Sequence, residues 1–412
     1  MTRRHGGGGS LRGSAAWGAW WGRLRGRWAA PRRRPAEGRR RAAATACRAA
    51  WHRLRRWRPS RRLLARTAVA LALTLLLPPL TAGLALRLAY SGDPAPDART
   101  RGRDAIWLGH AWVDGRRDDA DLAALGRRLD GTGLRDLYVH AGPLEHDGTL
   151  PTSAYPEARW LIDAARRRLP GVRVHAWLGD ALSYGGEDGM RLDRAATRAR
   201  VVASARQVLA AGFDGVHLDL EPTHSGNADF LRLLERARPA VRAGGGVLSV
   251  AAHQIDPLPA AHTVLGALTG RPKWWSQRYF GQVARRVDQI AVMSYDTAMP
   301  LESLYGGYVA HQTELALEVT PEGTDLLMGL PFFHTDDPGH RAAAETVAAA
   351  VRGVRLGQTR ADRHRERFGV ALYVDFAATE TDWAAYRRGW GACRPASGCA
   401  PGRPTAQPPG RP

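Results

Sequence analysis

Lysine is almost missing from this sequence: Lys273 is the only one, and arginine supplies the other 59 of the 60 basic side chains. With so much alanine and glycine alongside, the bias reflects the base composition of the gene rather than guanidinium chemistry. Cysteine is nearly as scarce. Cys47 lies in a basic N-terminal stretch, and Cys393 and Cys399 stand six apart near the C-terminus. Two thiols without neighbouring histidines are too few for a structural zinc site. A small disulfide loop and a pair of free thiols both remain open. Acidic residues are missing from the first 66 positions except for Glu37, against 20 arginines there, a local balance of +19. Beyond Tyr90 the balance is 39 basic against 38 acidic, or +1, so the net charge of +21 belongs to the tail and not to the folded part. The sequence also lacks a GxGxxG after its first apolar run, a serine nucleophile elbow and a phosphate-cradling loop.

Residues 1–62 read as a disordered Arg/Trp-rich tail with a GGGG run, Pro31, Pro35 and Pro59. Trp17, Trp20, Trp21, Trp28, Trp51 and Trp57 are interleaved with the arginines, the composition that an anionic lipid surface attracts. Nucleic-acid binding by stacking and phosphate contact is the competing use of such a tail. The membrane is favoured because a long apolar run stands next in the chain. Ala68 to Leu86 is an uncharged stretch of 19 residues between Arg66 and Arg87, the minimum for a span, with Pro78 and Pro79 inside it. The arginine excess before the run places the N-terminus inside and the bulk of the chain outside. A charged region this long is unlike a cleaved signal peptide, so residues 63–90 read as a single-pass signal anchor. No nucleic acid is expected as partner; membrane lipids are.

Residues 91–104 form a short linker with Pro94 and Pro96. From 105 to 390 apolar strand patterns alternate with amphipathic helical ones. Strands are predicted at Ile106–Val113, Leu134–His140, Val172–Leu178, Gly215–Glu221, Val247–Ala252, Gln289–Tyr295, Leu326–Phe332 and Val370–Phe376. Helices are predicted over 118–129, 158–168, 195–211, 228–243, 302–318 and 340–354. Eight strands with helices between them fit a (β/α)8 TIM barrel. Residues 391–412, rich in Pro and Gly, read as a disordered C-terminal tail.

The densest chemistry is the stretch FDGVHLDLEP, Phe213 to Pro222. On an extended chain Val216, Leu218 and Leu220 face one way, while His217, Asp219 and Glu221 face the other. Acids are almost never buried without partners, so the second side belongs to a polar lumen. A helix N-cap accounts for Glu221 alone and leaves His217 and Asp219 pointing at apolar walls.

Asp214, Gly215, His217, Asp219 and Glu221 resemble the DxxDxDxE signature of glycoside hydrolase family 18, the chitinase-like barrels, with His217 where members commonly carry a second Asp. Met293, Ser294, Tyr295 and Asp296 resemble the family's MxYD segment, and MGLPFF from Met328 resembles its MGxPFY. The resemblance spans about residues 105–390 and favours bacterial members over dedicated chitinases; no carbohydrate-binding module is recognisable. It implies a substrate-assisted retaining mechanism with Glu221 as the acid, Asp219 and Tyr295 orienting the 2-acetamido group of the sugar, Asp214 and His217 as supporting residues, and Asp296 and Met293 as sugar contacts. His217 is expected to hydrogen-bond Asp219 or to be an ordinary core histidine. Trp112, His140 and Trp177 at strand ends are expected to line the mouth, with His110, His175 and His253 beside them. Tyr373, Asp375 and Phe376 stand where family chitinases usually place a tryptophan under the sugar, and Tyr373 and Asp375 are expected as substrate contacts. The four histidines at 110, 140, 175 and 253 also raise an amidohydrolase-like metal site, but no HxH pair follows the first strand, so no metal and no cofactor are expected. Trp274 and Trp275 are expected either to stack on sugar rings or to pack under a loop.

These expectations combine into a cell-membrane protein with a cytoplasmic N-terminus and an extracytoplasmic glycosidase barrel, acting on an N-acetylhexosamine polymer or a peptidoglycan fragment. The alternative is a barrel of the same family that binds glycans without turnover. Sugar linkage and oligomeric state are not fixed by the sequence.

Overall fold

The computed structural model describes residues 60–184, 188–263 and 274–391. The basic tail up to Pro59, all three cysteines and the chain beyond Gly391 lie outside the described residues. The contacts divide the chain between Leu76 and Leu77. One helix, α1, runs from Arg61 to Ala89, with none of its residues buried. Among the described residues it is the one helix long and apolar enough to cross a membrane.

The second unit is built on eight parallel strands that close into a barrel: β1 (Asp104–Leu108), β2 (Leu134–Pro143), β3 (Arg173–Ala181), β4 (Gly215–Glu221), β5 (Val247–Ala252), then β8 (Gln289–Val292), β9 (Asp325–Pro331) and β10 (Phe368–Tyr373). β6 (Gln254–Ile255) and β7 (Trp274–Trp275) pair as a separate two-residue sheet. The helices that cover the barrel are α2 (Asp119–Leu129), α3 (Ala158–Arg168), α4 (Ala195–Ala211), α5 (Ala228–Ala243), α6 (Gln277–Ala284), α7 (Glu302–Val319), α8 (Val347–Ala361) and α9 (Glu380–Gly389). The expected (β/α)8 barrel is thus borne out. Val216, Leu218 and Leu220 on β4 are buried beneath this helical layer, as their alternation requires.

Several boundaries differ from expectation: β2 and β3 run three residues further, to Pro143 and Ala181, while β8 stops at Val292 and β10 at Tyr373, three residues short of the expected Tyr295 and Phe376. β1 ends at Leu108, because Gly109 and Trp112 are both drawn to the Asp375 carboxylate and the chain turns through a short 3-10 helix, His110–Trp112. The helix predicted over 340–354 begins only at Val347, where the Thr346 hydroxyl caps it by accepting from the Ala349 amide; residues 340–345 form a loop instead. α6 and α9 have no counterpart among the predicted helices. Ser276 caps the first, and Thr379 with Asp382 forms a capping box on the second, a signal that is visible in the sequence.

The lower lumen is filled by side chains, with a continuous polar chain among them. His217 joins Trp107 to Ser249, Ser249 approaches the Tyr138 hydroxyl, Tyr138 donates to Gln289, and Gln289 donates to Asp136. Arg173 closes the chain with a two-pronged ion pair to Asp136. Burial opposes charge on Asp136, but His175 and Arg173 hold its carboxyl below the ordinary range. Every member of this chain has a partner, so the buried polar groups specify one arrangement rather than destabilise it.

Candidate active site

β4 delivers the site. His217, Asp219 and Glu221 all face the lumen and rise toward the mouth, with about 7 Å between alternate residues. Opposite them, Met293 and Tyr295 continue the inward face of β8. Gly329 on β9 leaves room for the Tyr295 ring, since an added Cβ there would lie 2.9 Å from it. Tyr373 at the end of β10 stacks on Tyr295, with centroids 5.3 Å apart, and meets Trp107 edge-on at 5.5 Å.

Glu221 is the most open of the acids on this strand, its side chain 44% exposed. Burial first, then the charges of Asp219 and Asp296, push its carboxyl up to about 8. Asp219 is pushed up to about 6 by burial, against the Trp177 indole N–H that donates to its Oδ2 at 2.9 Å. Its Oδ1 is shielded from solvent and has no hydrogen-bond partner. Burial, Tyr373 and the charges of Asp219, Asp296 and Glu221 together hold the Tyr295 phenol well above its usual range. Asp219, Asp296 and Glu221 are therefore all near enough to Tyr295 to oppose its ionisation.

His253, beyond the end of β5, completes this wall. Its Nε2 accepts from the Thr223 amide at 3.2 Å, so Nδ1 carries the proton and faces Glu221 Oε1 at 3.7 Å. Burial, then His224, lowers its pKa to about 4, leaving the ring neutral.

Several expected roles change. His217 does not reach Asp219: its Nε2 accepts from the Trp107 indole at 3.1 Å, its Nδ1–H is therefore turned to Ser249 Oγ at 2.8 Å, and its ring stacks on Tyr138. Burial drops its pKa well below 6.5, so it is a neutral, satisfied core histidine. Asp214 lies at the opposite end of β4 from Glu221, where it accepts from the Val174 amide and pairs with Arg166 at the foot; it is not a deeper member of the site. Trp112 is 4% exposed and donates to Asp375 Oδ2, while Gly109 donates to Oδ1. The two residues bolt the first strand to the last. Trp275 is buried with its indole N–H on the Thr223 carbonyl, and Trp274 donates to Tyr308, so both pack beneath the β5–α6 connection.

His140 meets Trp177 edge-on at 4.8 Å on the mouth side, where burial, then His110, lowers its pKa to about 4. His110 bonds the His140 carbonyl, and His175 pairs with Asp136 at the foot. His110 and His140 meet edge-on with centroids 5.5 Å apart, whereas His175 lies at the foot and His253 beside Glu221. Asp296, with its backbone at φ +59°, carries a rim group that the sequence pattern does not reveal. His340 Nδ1 lies 3.1 Å from Asp296 and 3.4 Å from Glu345. Despite burial, the two carboxylates raise its pKa to about 9, so it is a cation. Glu345 also accepts from the Thr297, Ala298 and Arg341 amides, which leaves its oxygens engaged. Asp296, His340 and Glu345 thus form a cluster whose ligand atoms all lie within 4.8 Å of one another.

A cavity of about 470 Å³ flanks the mouth between the connections after β3 and β4, lined by Tyr184, Met190, Arg191, His224 and Asn227 among others. It adjoins Glu221 through the Leu182 amide, which donates to the Glu221 carbonyl at 2.7 Å.

No family model and no curated protein matches the sequence. Solved structures do. A class V chitinase from Pseudomonas fluorescens Pf-5 is 16% identical over 69% of this chain and 98% of its own, with a TM-score of 0.47. The spore cortex-lytic enzyme SleL of Bacillus megaterium QM B1551 is 13% identical over 72% and 76%, with a TM-score of 0.49. A chitinase from Chromobacterium violaceum ATCC 12472 is 16% identical over 69% and 98%, with a TM-score of 0.48. These are likenesses at low identity, and the residues of the mouth, not the likenesses, bear on function.

Proposed function

We propose that the barrel is a glycoside hydrolase acting outside the cytoplasm on N-acetylhexosamine-containing glycans, with α1 crossing the membrane and the N-terminus inside. The observation that carries this reading is Glu221: a carboxyl open to the mouth, with a pKa raised to about 8, above a second carboxyl of the same strand. A glycosidase must protonate a leaving oxygen, and a group still protonated near neutral pH is suited to that step.

In this reading Glu221 gives its proton to the glycosidic oxygen as the bond to the anomeric carbon breaks. The sugar's own acetamido oxygen forms the new bond to that carbon. Asp219, whose Oδ1 has no protein partner, accepts from the acetamido N–H, and the Tyr295 hydroxyl holds the acetamido oxygen. Water then attacks the anomeric carbon and displaces the acetamido oxygen, which returns to the acetamide; the water's proton passes to Glu221, and the product keeps its configuration. Tyr373, Trp177 and His140 supply apolar surface beneath the ring, and Met293 and Asp296 the edge. His217 serves only through Trp107 and Ser249, which support the floor.

Turnover of aryl glycosides of N-acetylglucosamine and of peptidoglycan fragments by wild type beside Glu221→Gln tests the proposal. A fall of about 10²–10⁴-fold is expected. Equal rates remove Glu221 from the mechanism. Binding of the same fragments without turnover in either protein supports a glycan-binding barrel instead, the reading that the exchange of a carboxylate for His217 favours.

A further inference from the structure

The end of the apolar helix is not a loose tether. Gly83 of α1 lies against Leu304 of α7, and Leu86 crosses Gly307, where an added Cβ would collide with the Leu86 carbonyl oxygen. The Tyr90 ring fills the space beside Gly306 that a Cβ would need, and the Arg352 guanidinium lies over that ring at 5.2 Å. Two adjacent glycines on α7 are therefore what lets this backbone approach. The segment after α1 is strapped down by arginine-to-carbonyl bonds: Arg360 to Ala89 and Ser91, Arg352 to Gly92, Arg355 to Ala95 and Ala98, Arg101 to Arg363 and Arg103 to Glu366. What the sequence suggested as a linker is a fixed seam on the back of the barrel.

The seam has a direction. α7 connects the end of β8 to the start of β9, so it runs from the mouth to the foot. A step from Gly83 to Leu86 matches a step from Leu304 to Gly307, so the two helices run in the same sense there. The last turns of the apolar helix consequently reach the barrel from the mouth side. A second observation agrees with it. Outside α1, the exposed large apolar side chains among the described residues are Tyr184, Leu258, Leu301 and Phe376. They follow β3, β6, β8 and β10 respectively, all in connections on the mouth face, and the foot has none among the described residues. Scattered exposed leucines need no explanation, but a ring of them confined to one end of a barrel does.

We infer that the barrel meets the bilayer mouth-first, with Leu258, Leu301, Phe376 and Tyr184 resting at the lipid surface from which α1 emerges. Aromatic and apolar side chains at such a rim gain by partial burial among headgroups. Resting on the hydrolase reading above, this narrows the substrate to glycans held close to the membrane, such as chains still attached to a lipid.

The test uses the full chain with Cys47, Cys393 and Cys399 replaced by serine, floated on phosphatidylcholine–phosphatidylglycerol vesicles. A polarity-sensitive fluorophore is placed on Leu301→Cys, on Phe376→Cys or, at the foot, on Glu322→Cys. Headgroup-depth nitroxide lipids should quench the two mouth probes several-fold more than the foot probe. Equal quenching at all three sites in floating protein overturns the mouth-first inference while leaving the anchor intact. Protein that fails to float overturns the anchor itself and this inference with it, without touching the hydrolase chemistry. Gly307→Leu should release the seam, so that quenching at Leu301→Cys falls toward the foot value. Tyr90→Ala, a milder change, should lower it partway. Unchanged quenching in a folded Tyr90→Ala and Gly307→Leu pair overturns the role of the seam.

Discussion

Trp107 donates its indole N–H to Nε2 of His217 across 3.1 Å, and this one bond decides which proton the imidazole carries. An indole is a donor only, so Nε2 must accept and Nδ1–H must point at Ser249. The histidine is thereby committed to the barrel floor and has nothing left for Asp219. Restoring a carboxylate with His217→Asp should not improve turnover. It should cost about 2–4 kcal/mol of stability, because the shorter side chain loses the Tyr138 stack and buries a charge that cannot span Trp107 and Ser249. Urea unfolding and aryl glycoside turnover, measured side by side, check this; a gain in turnover without loss of stability would contradict it.

The acids of the mouth set a pH profile. Asp219 near 6 and Glu221 near 8 act as a coupled pair, so kcat/KM should rise through the first value and fall through the second. Trp177→Phe removes the N–H that favours charged Asp219, so the acid limb should move to higher pH with the alkaline limb little changed. The stability consequence has a definite sign. Glu221 has its pKa raised from 4.5, so its contribution is fully present below 4.5 and is lost as pH rises through about 8. Glu221→Gln should therefore melt above wild type at pH 8 and together with it at pH 4, as thermal unfolding across that range would reveal.

Asp375 gives both oxygens to the first strand's exit, one to Gly109 and one to Trp112. Asp375→Asn converts one acceptor into a donor facing a donor. A loss of about 1–3 kcal/mol is expected, with KM for soluble glycosides unchanged. A large rise in KM with no loss of stability would instead make Asp375 a sugar contact.

The legible part of this protein is the part encoded by local patterns. The alternation of Val216, Leu218 and Leu220 with His217, Asp219 and Glu221 reveals the strand, its two faces and the position of the acids, because a strand's period is local. Asp214 misleads because spacing along β4 says nothing about which end of a barrel a residue occupies. Trp112 and Asp375 look like separate wall residues, since a bond between the first strand and the last spans 263 positions. His340 and Glu345 fall inside a stretch whose pattern is helical. Only the Thr346 cap ends that reading, and their meeting with Asp296 is tertiary.

That rim cluster has its own test. His340 Nδ1 lies between Asp296 and Glu345, and the Phe333 ring packs against the imidazole at 4.2 Å, so its charge is held by two acids from two connections. Its pKa is raised from 6.5 to about 9; the stabilisation is complete below 6.5 and is lost as pH rises through 9. His340→Gln should remove about 2 kcal/mol at pH 6 and almost nothing at pH 10. Urea midpoints at the two pH values measure the difference. Because Glu345 also holds the Thr297 and Ala298 amides beside Asp296, hydrogen exchange at those two amides should quicken in His340→Gln at pH 6 and in wild type at pH 10. A variant with slow exchange at both values would show that Glu345 holds the rim without its histidine.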